Sequence, residues 1–432
     1  MLDLKAIRQD PDGVRAALAR RGAQETLEAM DALLAADRQH RALLTQVEAL
    51  RAERNARSQQ VAQLKRAGAS PEETAAVVAE TRGIGERLRA VEAELTPAEE
   101  RLRALLLTLP NCPAPEIPDG PDATANVEVR RWGEPRQFAF VPRPHWEIGV
   151  SLGLLDFERA AKISGARFTV FSGRGAALVR ALIAFMLDMH IGRHGCREVM
   201  PPFLINAASM AGTGQLPKFA AEAFHVEGAD LWLAPTAEVP VTNLYRDEQL
   251  DGSLLPLQLV AYTPCWRSEA GAAGRDTRGL IRQHQFDKVE IVHFTRPEDS
   301  ARHLEEIIRA AADVLEALEL PYRVVELCAG DLTFASARTY DLEVWMPSYG
   351  RFVEISSCSN FRDFQARRAN IRFRPHAQGP LELVHTLNGS ALAVGRTVAA
   401  LLENRQDADG GIDLPAALAP YLGESLRWDP SN

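Results

Sequence analysis

The 432-residue chain lacks an uninterrupted apolar run long enough to cross a bilayer. Its most membrane-like stretch, Ala176 to Met189, contains Arg180 and Asp188. Burying such charges in lipid costs several kcal/mol, so the stretch reads as a core helix. The opening MLDLKAIRQDPDG mixes charges with proline where a secretory signal needs a continuous apolar segment; no export and no membrane partner are expected. The five cysteines, at positions 112, 196, 265, 328 and 358, form no CxxC pair and show no histidine spacing suited to zinc. That argues against a structural zinc and for a reducing, cytoplasmic setting. A basic excess is missing as well: the net charge is −9. Coating a nucleic acid needs clustered Lys and Arg to neutralise phosphates, so any such contact must be local. What is present, 46% hydrophobic and 25% charged residues, is an ordinary globular composition in a chain long enough for one large core and a second module.

From Leu33 onward, positions 33, 36, 40, 43, 47, 50, 54, 57, 61 and 64 alternate steps of three and four, and they carry Leu, Ala, His, Leu, Val, Leu, Arg, Arg, Val and Leu. This is an imperfect coiled-coil seam. A second seam runs through Val77, Thr81, Ile84, Leu88, Val91, Leu95, Ala98, Leu102 and Leu105. Between the two, AGASPEE offers Ser70 as a helix cap, Pro71 at the first helical position and Glu73 to complete a capping box. The chain is therefore expected to turn back on itself as an antiparallel hairpin over about residues 30–105, projecting roughly 50 Å at ~1.5 Å per residue.

Residues 38–66 carry a net charge of +5, whereas residues 71–103 carry −3. A spacer, a dimerisation element or a solvated charged face would share the periodicity. A basic helix inside an acidic protein favours an arm laid along a phosphate backbone, with Arg51, Arg54, Arg57, Lys65 and Arg66 as candidate contacts. After Leu109, PNCPAPEIPDGP places five prolines within twelve residues, which no helix continues through. The division expected is an N-terminal domain over 1–109, a proline-rich linker over 110–130 and a second domain over 131–432. Strand-like runs follow, LWLAPTAEV, LVAYTPCW, LIRQHQFDKVEIVHF and RFVEISSCSNF, with a helix-like segment around 298–318. That order implies an α+β fold: a helical hairpin followed by a mainly antiparallel sheet flanked by helices.

The segment YTPCWRSEAGAAGRDTRGLIRQHQFDKVEIV, residues 262–292, reads as strand, glycine-rich loop, strand. Alternation puts Arg267 and Glu269 on one face of the first strand, and Arg282, Phe286 and Glu290 on one face of the second. Two guanidinium groups, an aromatic ring and two carboxylates on one sheet face are costly unless a charged ligand sits there.

This segment resembles motif 2 of the class II aminoacyl-tRNA synthetases, in the form typical of the seryl-tRNA synthetase family. GTGQLPKF (212–219), PTAEVPVTN (235–243), CAGDLTFASARTYDLEVWMP (328–347), EISSCSNFRDFQARR (354–368) and HTLNGSALAVGRT (385–397) resemble that family in order. EVMPPFL (198–204) is similar to motif 1, with Pro202 at the place expected for a homodimer interface.

The resemblance implies an ATP-dependent serine–tRNA ligase that forms seryl-adenylate, then charges tRNA(Ser) and also tRNA(Sec). Arg267 and Arg396 are the implied catalytic cations. Arg267 would hold the α-phosphate and the attacking carboxylate, Glu269 would contact adenine, and Phe286 would stack on the base. Arg282 and Arg396 would hold the distal phosphates. Ser268, Glu354, Ile355, Ser356 and Ser357 complete the nucleotide set, with Glu354 and Ser357 as oxygen ligands for Mg²⁺. Serine is assigned to Thr236, Ala237, Glu238, Glu290, Asn388 and Ser390, and the tRNA acceptor end to Arg275 and Arg278. A class II enzyme for threonine or proline, a ligase for carrier proteins and an inactive tRNA-binding paralogue are the competing readings. They fit less well because the long arm is present and Arg267, Glu290 and Arg396 all remain.

Overall fold

The computed structural model describes residues 1–270, 278–423 and 425–430. The chain forms two compact units, one made of Leu4–Arg15 and Ala23–Leu109, the other of Met1–Asp3, Ala16–Gly22 and Pro110–Asn432. The first is dominated by α1 (Gln24–Arg66) and α2 (Pro71–Thr108). At ~1.5 Å per residue their 43 and 38 residues span roughly 65 and 57 Å, longer than the seam implied because α1 begins before Leu33. Leu33, Ala36, Leu43 and Val47 on α1, and Ile84, Leu88, Ala98 and Leu102 on α2, are the buried seam positions. Towards the tip Arg57, Val61 and Leu64 are only half-buried, since a pair of helices covers one face of each.

The turn follows its sequence signals. Gly68 adopts φ +77° with open space around its missing Cβ, so the requirement there is a left-handed backbone and not close packing. The Ser70 side chain then accepts from the Glu73 amide at 3.2 Å, while Glu73 accepts from the Ser70 amide at 2.7 Å.

The second unit is built on an eight-stranded sheet of β1 (Val127–Trp132), β2 (Arg197–Glu198), β3 (Leu257–Trp266), β4 (Gln285–Thr295), β5 (Tyr322–Glu326), β6 (Arg338–Met346), β7 (Arg351–Arg362) and β8 (His385–Ala393). Its order is β1-β5-β6-β7-β8-β4-β3-β2, antiparallel throughout except where β2 runs parallel to β3. Helix α3 (Arg174–Gly192) buries Leu178, Leu182, Phe185 and Met186 in the main core; among the described residues it alone is long and apolar enough to cross a membrane. Four further helices frame the site: α4 (Glu238–Thr242), α5 (Ser300–Ala317), α6 (Phe364–Ala369) and α7 (Val394–Asn404). On α5, Leu304, Ile307, Ile308 and Ala311 are buried, the three-and-four spacing of a helix lying on a sheet. Gly389 of β8 lets it approach, because a Cβ there would stand 2.1 Å from an Ile307 methyl carbon.

Two strand readings are corrected. In LWLAPTAEV only Trp232–Leu233 is strand, and the chain passes into α4 at Glu238; Pro235 cannot donate to a ladder, and the Thr236 hydroxyl accepts from the Glu238 amide at 3.3 Å. In LIRQHQFDKVEIVHF the strand starts at Gln285, and its partner β3 stops at Trp266. Arg267, Glu269 and Arg282 therefore lie beyond the regular ladder, so simple alternation does not orient them. One more backbone pair forms, Arg267 amide to His284 carbonyl at 2.9 Å, before Glu269 turns away with φ +51°.

Candidate active site

One face of the sheet gathers the polar side chains. Ser390 pairs with Glu290 and Asn388 with Val292 across β8 and β4, so Glu290, Asn388 and Ser390 point the same way. Asn388 donates from one amide group to Glu290 at 2.7 Å and to Glu238 at 3.2 Å, and the Ser390 hydroxyl donates to Glu290 at 3.3 Å. Glu238 is 9% exposed and Glu290 0%. Burial, then the charge of Glu290, push the Glu238 carboxyl up to about 7, against the Gln365 hydrogen bond and the Lys288 and Arg267 charges. Thr236 and Ala237 are buried at the entrance to α4.

Two members of this cluster escaped the sequence reading. Lys288 sits 2.6 Å from Glu290, and its place between Phe286 and Glu290 at period two was a usable signal. Gln365 on α6 donates to Glu238 at 2.6 Å and accepts from the Thr386 hydroxyl at 2.7 Å; nothing in the local sequence brings it there.

A second group lies at the strand ends. The Arg267 guanidinium stands 5.2 Å from the centre of the Phe286 ring and donates to the Pro235 carbonyl at 3.2 Å. Arg282 is ion-paired with Glu269. Arg396, in the first turn of α7, donates to the Ile281 carbonyl at 3.1 Å and to the Glu354 carbonyl at 2.7 Å, with the Glu354 carboxylate 3.3 Å away. Ser268, Ile355 and Ser356 offer no free side chain to this group. The Ser268 hydroxyl donates to the Ala221 carbonyl, that of Ser356 to the Ser390 carbonyl, and Ile355 belongs to the main hydrophobic core. Arg278 is exposed, and Arg275 lies outside the described residues.

Glu354 and Ser357 are three residues apart, a spacing that puts side chains on opposite faces of a regular strand. A bulge intervenes: Leu342 pairs with Ser356, but Glu343 pairs with Glu354. The extra residue, Ile355, restores the parity, and Glu354 and Ser357 share a face with Glu343 and Asp341 of β6. Asp341 was not anticipated, although Asp-x-Glu at period two opposite this strand was legible. Its carboxyl is held well above the ordinary range by burial and then by the charge of Glu354, against a hydrogen bond from Ser357, and one of its oxygens has no partner among the described residues. Hard oxygen donors with an unsatisfied buried member fit a divalent cation such as Mg²⁺.

The return to β4 is clamped from behind. His145 and Glu403, both fully buried, meet at 2.7 Å through Nδ1 and Oε1. The Leu280 amide donates to His145 Nε2 at 2.9 Å, so the imidazole is neutral and its Nδ1–H donates to Glu403. A Cβ on Gly279, whose φ is +75°, would stand 2.1 Å from His145 Nε2, which requires glycine there twice over.

On the arm, the candidate cations divide. Arg51 pairs with Glu92 at 2.7 Å and Arg57 with Glu80 at 3.4 Å, the helix-to-helix pairing that competes with a phosphate role. Arg54, Lys65 and Arg66 are exposed and have no ion-pair partner among the described residues.

An antiparallel sheet with fixed arginines at its strand ends and a buried acidic pocket beside them defines a class II aminoacyl-tRNA synthetase core. Residues 222–405 match the tRNA synthetase class II core domain (G, H, P, S and T), and residues 1–113 match the seryl-tRNA synthetase N-terminal domain. The chain is 59% identical over 427 residues to a serine–tRNA ligase of Desulforudis audaxviator, covering 99% of both chains. It is 55% identical over 423 residues to that of Carboxydothermus hydrogenoformans, covering 98% of both. A crystal structure of Pyrococcus horikoshii seryl-tRNA synthetase complexed with ATP superposes with a TM-score of 0.94 at 38% identity, covering 100% of both chains. The chain belongs to the seryl-tRNA synthetase family. Membership implies use of ATP and Mg²⁺.

His145→Ala takes the imidazole donor from the buried Glu403 carboxylate and the acceptor from the Leu280 amide. Each buried group left unpaired costs about 1–3 kcal/mol, so the unfolding free energy should fall by about 2–5 kcal/mol, measured by chemical denaturation. A loss below 1 kcal/mol would mean the pair does not hold the Gly279–Leu280 turn.

Proposed function

We propose that the chain activates serine with ATP and transfers the seryl group to tRNA(Ser). The observation that carries this reading is one sheet face that joins a buried acidic pocket, Glu238–Asn388–Glu290, to a row of fixed cations at Arg267, Arg282 and Arg396. A serine carboxylate oxygen attacks the α-phosphate of ATP, a P–O bond forms, and diphosphate leaves. The terminal ribose hydroxyl of tRNA then attacks the seryl carbonyl and AMP departs.

Negative charge grows on the phosphoryl oxygens during the first step. Arg267, whose charge is felt by Glu238 in the serine pocket, supplies preorganised charge there. Phe286 offers its free face to adenine, Glu269 reads the base, and Arg282 and Arg396 take the distal phosphates, exchanging their carboxylate partners for the nucleotide. Asp341, Glu354 and Ser357 would hold Mg²⁺, which when bound neutralises charge on the phosphates. The serine ammonium lies against Glu238 and Glu290 and the hydroxyl against Asn388 and Ser390, with Thr236 and Ala237 lining the pocket. Alanine leaves those groups unpaired.

Residues 1–109 act as the tRNA-binding domain, 110–130 as the linker and 131–432 as the catalytic domain, with Arg275 and Arg278 at the acceptor end. The same reading makes the protein a cytoplasmic homodimer that also charges tRNA(Sec). Support for the dimer comes from Met200 and Leu204, exposed on either side of Pro202.

Three outcomes test these roles. Arg267→Ala should reduce serine-dependent ATP–diphosphate exchange by about 10² or more; near-normal exchange in the folded variant removes Arg267 from the reaction. Replacing Arg54, Lys65 and Arg66 together by Ala should raise the KM for tRNA and flatten its salt dependence while exchange stays intact. An unchanged tRNA KM makes the arm a spacer. Finally, the carboxyl of Glu238 is largely protonated below about pH 7, and an arriving ammonium favours its ionised form. Serine binding at pH 6 should then release protons, and affinity should rise with pH up to about 7 and level off above it. Calorimetry in buffers of different ionisation enthalpy reads this directly, and absence of proton release refutes the contact.

A further inference from the structure

The face of the sheet turned away from the active site carries another cluster of chemistry-bearing side chains. Gln258 on β3 and His293 on β4 stand directly opposite each other in the ladder. His303 and Glu306, one turn apart on α5, lie over them: the His303 and His293 rings are 5.2 Å apart, and His303 Nδ1 is 2.8 Å from Glu306 Oε2. The donor atoms of His293, His303 and Glu306 all fall within 4.8 Å of one another.

Both imidazoles are buried, 4% and 1% exposed, yet Nδ1 of His293 has no hydrogen-bond partner among the described residues. A buried polar atom left unpaired is a departure that calls for a ligand. Burial, then the neighbouring His303, lower the His293 pKa to about 3, so its ring is neutral and can ligate at physiological pH. The Gln258 amide end stands 3.5 Å from both His303 Nδ1 and Glu306 Oε2. Turning that amide by 180° brings its oxygen to the same point.

We propose that His293, His303 and Glu306 form a site for a divalent transition-metal ion such as Zn²⁺, with the Gln258 amide oxygen or a water as fourth ligand. Two neutral imidazoles and a carboxylate are a zinc-type donor set, unlike the all-oxygen group around Asp341 and Glu354. Without metal, the Nδ1 proton of His303 bridges to Glu306; the ion takes that position and the proton moves, by way of solvent, to Nε2 of the same ring. A ring bound through Nδ1 carries its hydrogen on Nε2, where Arg302 now stands 3.2 Å away. Arg302 must turn outwards, and its side chain is 58% exposed and already reaches Asp299. The bound ion ties α5 to β3 and β4 directly behind the strand that presents Lys288 and Glu290. This site departs from the expectation of no structural zinc, which rested on the lack of a CxxC pair and of zinc-type histidine spacing and could not join a strand histidine to a His-x-x-Glu pair on the next helix.

The test uses the full chain, stripped with a chelator and titrated with ZnCl₂ in the absence of ATP and serine. Wild type should retain a single equivalent of zinc per chain after desalting, with a rise in Tm of a few degrees. The His293→Asn, His303→Gln double variant should retain none and show no Tm shift. Glu306→Gln, at an exposed position where folding is not at stake, should weaken binding at least as much as the roughly 10–100-fold loss seen on removing a supporting contact. Arg302→Ala should bind as tightly as wild type or more so. Failure of wild type to retain zinc, retention of the same equivalent by the double variant or undiminished by Glu306→Gln, or loss of binding in Arg302→Ala would each overturn the proposal.

Discussion

Charge held on a water-poor sheet face is the constraint that shapes the catalytic unit. A carboxylate or guanidinium is tolerated there only when hydrogen bonds or an opposite charge offset its lost hydration. Glu290 meets that condition through Lys288, Asn388 and Ser390 together. Glu238 has only neutral amide donors, from Gln365 and Asn388, and its carboxyl is correspondingly hard to ionise. Asp341 keeps an oxygen without a partner among the described residues. These least satisfied charges, Glu238 and Asp341, are the ones that an ammonium and a divalent cation would complete in the proposed reaction.

The arginines follow the complementary rule. An acidic chain that handles a polyanion has to keep its cations from collapsing irreversibly onto its own carboxylates. Arg396 is fixed mainly by two backbone carbonyls, which set its direction without cancelling its charge, and Arg267 rests on the Phe286 ring and the Pro235 carbonyl. Arg282 is ion-paired with Glu269 within the same motif, and the Glu354 carboxylate stands 3.3 Å from Arg396. Behind them, the neutral His145 accepts from Leu280 and is held by Glu403. Glu403 and Arg396 lie on the same helix, so α7 secures the turn from both sides, Arg396 at the Ile281 carbonyl and Glu403 through His145.

The hairpin is governed by simpler physics. Its seam, its cap at Ser70 and its reversal at Gly68 are local features, and local features are the ones a sequence displays. Its charges are less simple. The basic stripe on α1 looked continuous from Arg51 to Arg66, but the neighbouring acidic helix takes up Arg51 and Arg57 and leaves Arg54, Lys65 and Arg66 for a partner.

By itself the sequence determined the hairpin, the antiparallel sheet and the family, and it named most of the polar side chains that the sheet face brings together, because heptad spacing, caps and motif strings act over a few residues at a time. It also suggested that Phe286 and Glu290 share a face, since strand alternation needs no partner. Only the tertiary structure decided the rest. Alternation failed for Arg267, Glu269 and Arg282, which lie past the strand ends, where backbone turns and ion pairs orient side chains. It would have separated Glu354 from Ser357, whereas the bulge at Ile355 brings them together with Asp341. Gln365 reaches Glu238, and Glu403 reaches His145, across 127 and 258 residues of chain. Such contacts arise when helices pack on a sheet, and no local pattern encodes which distant side chain will satisfy a buried charge.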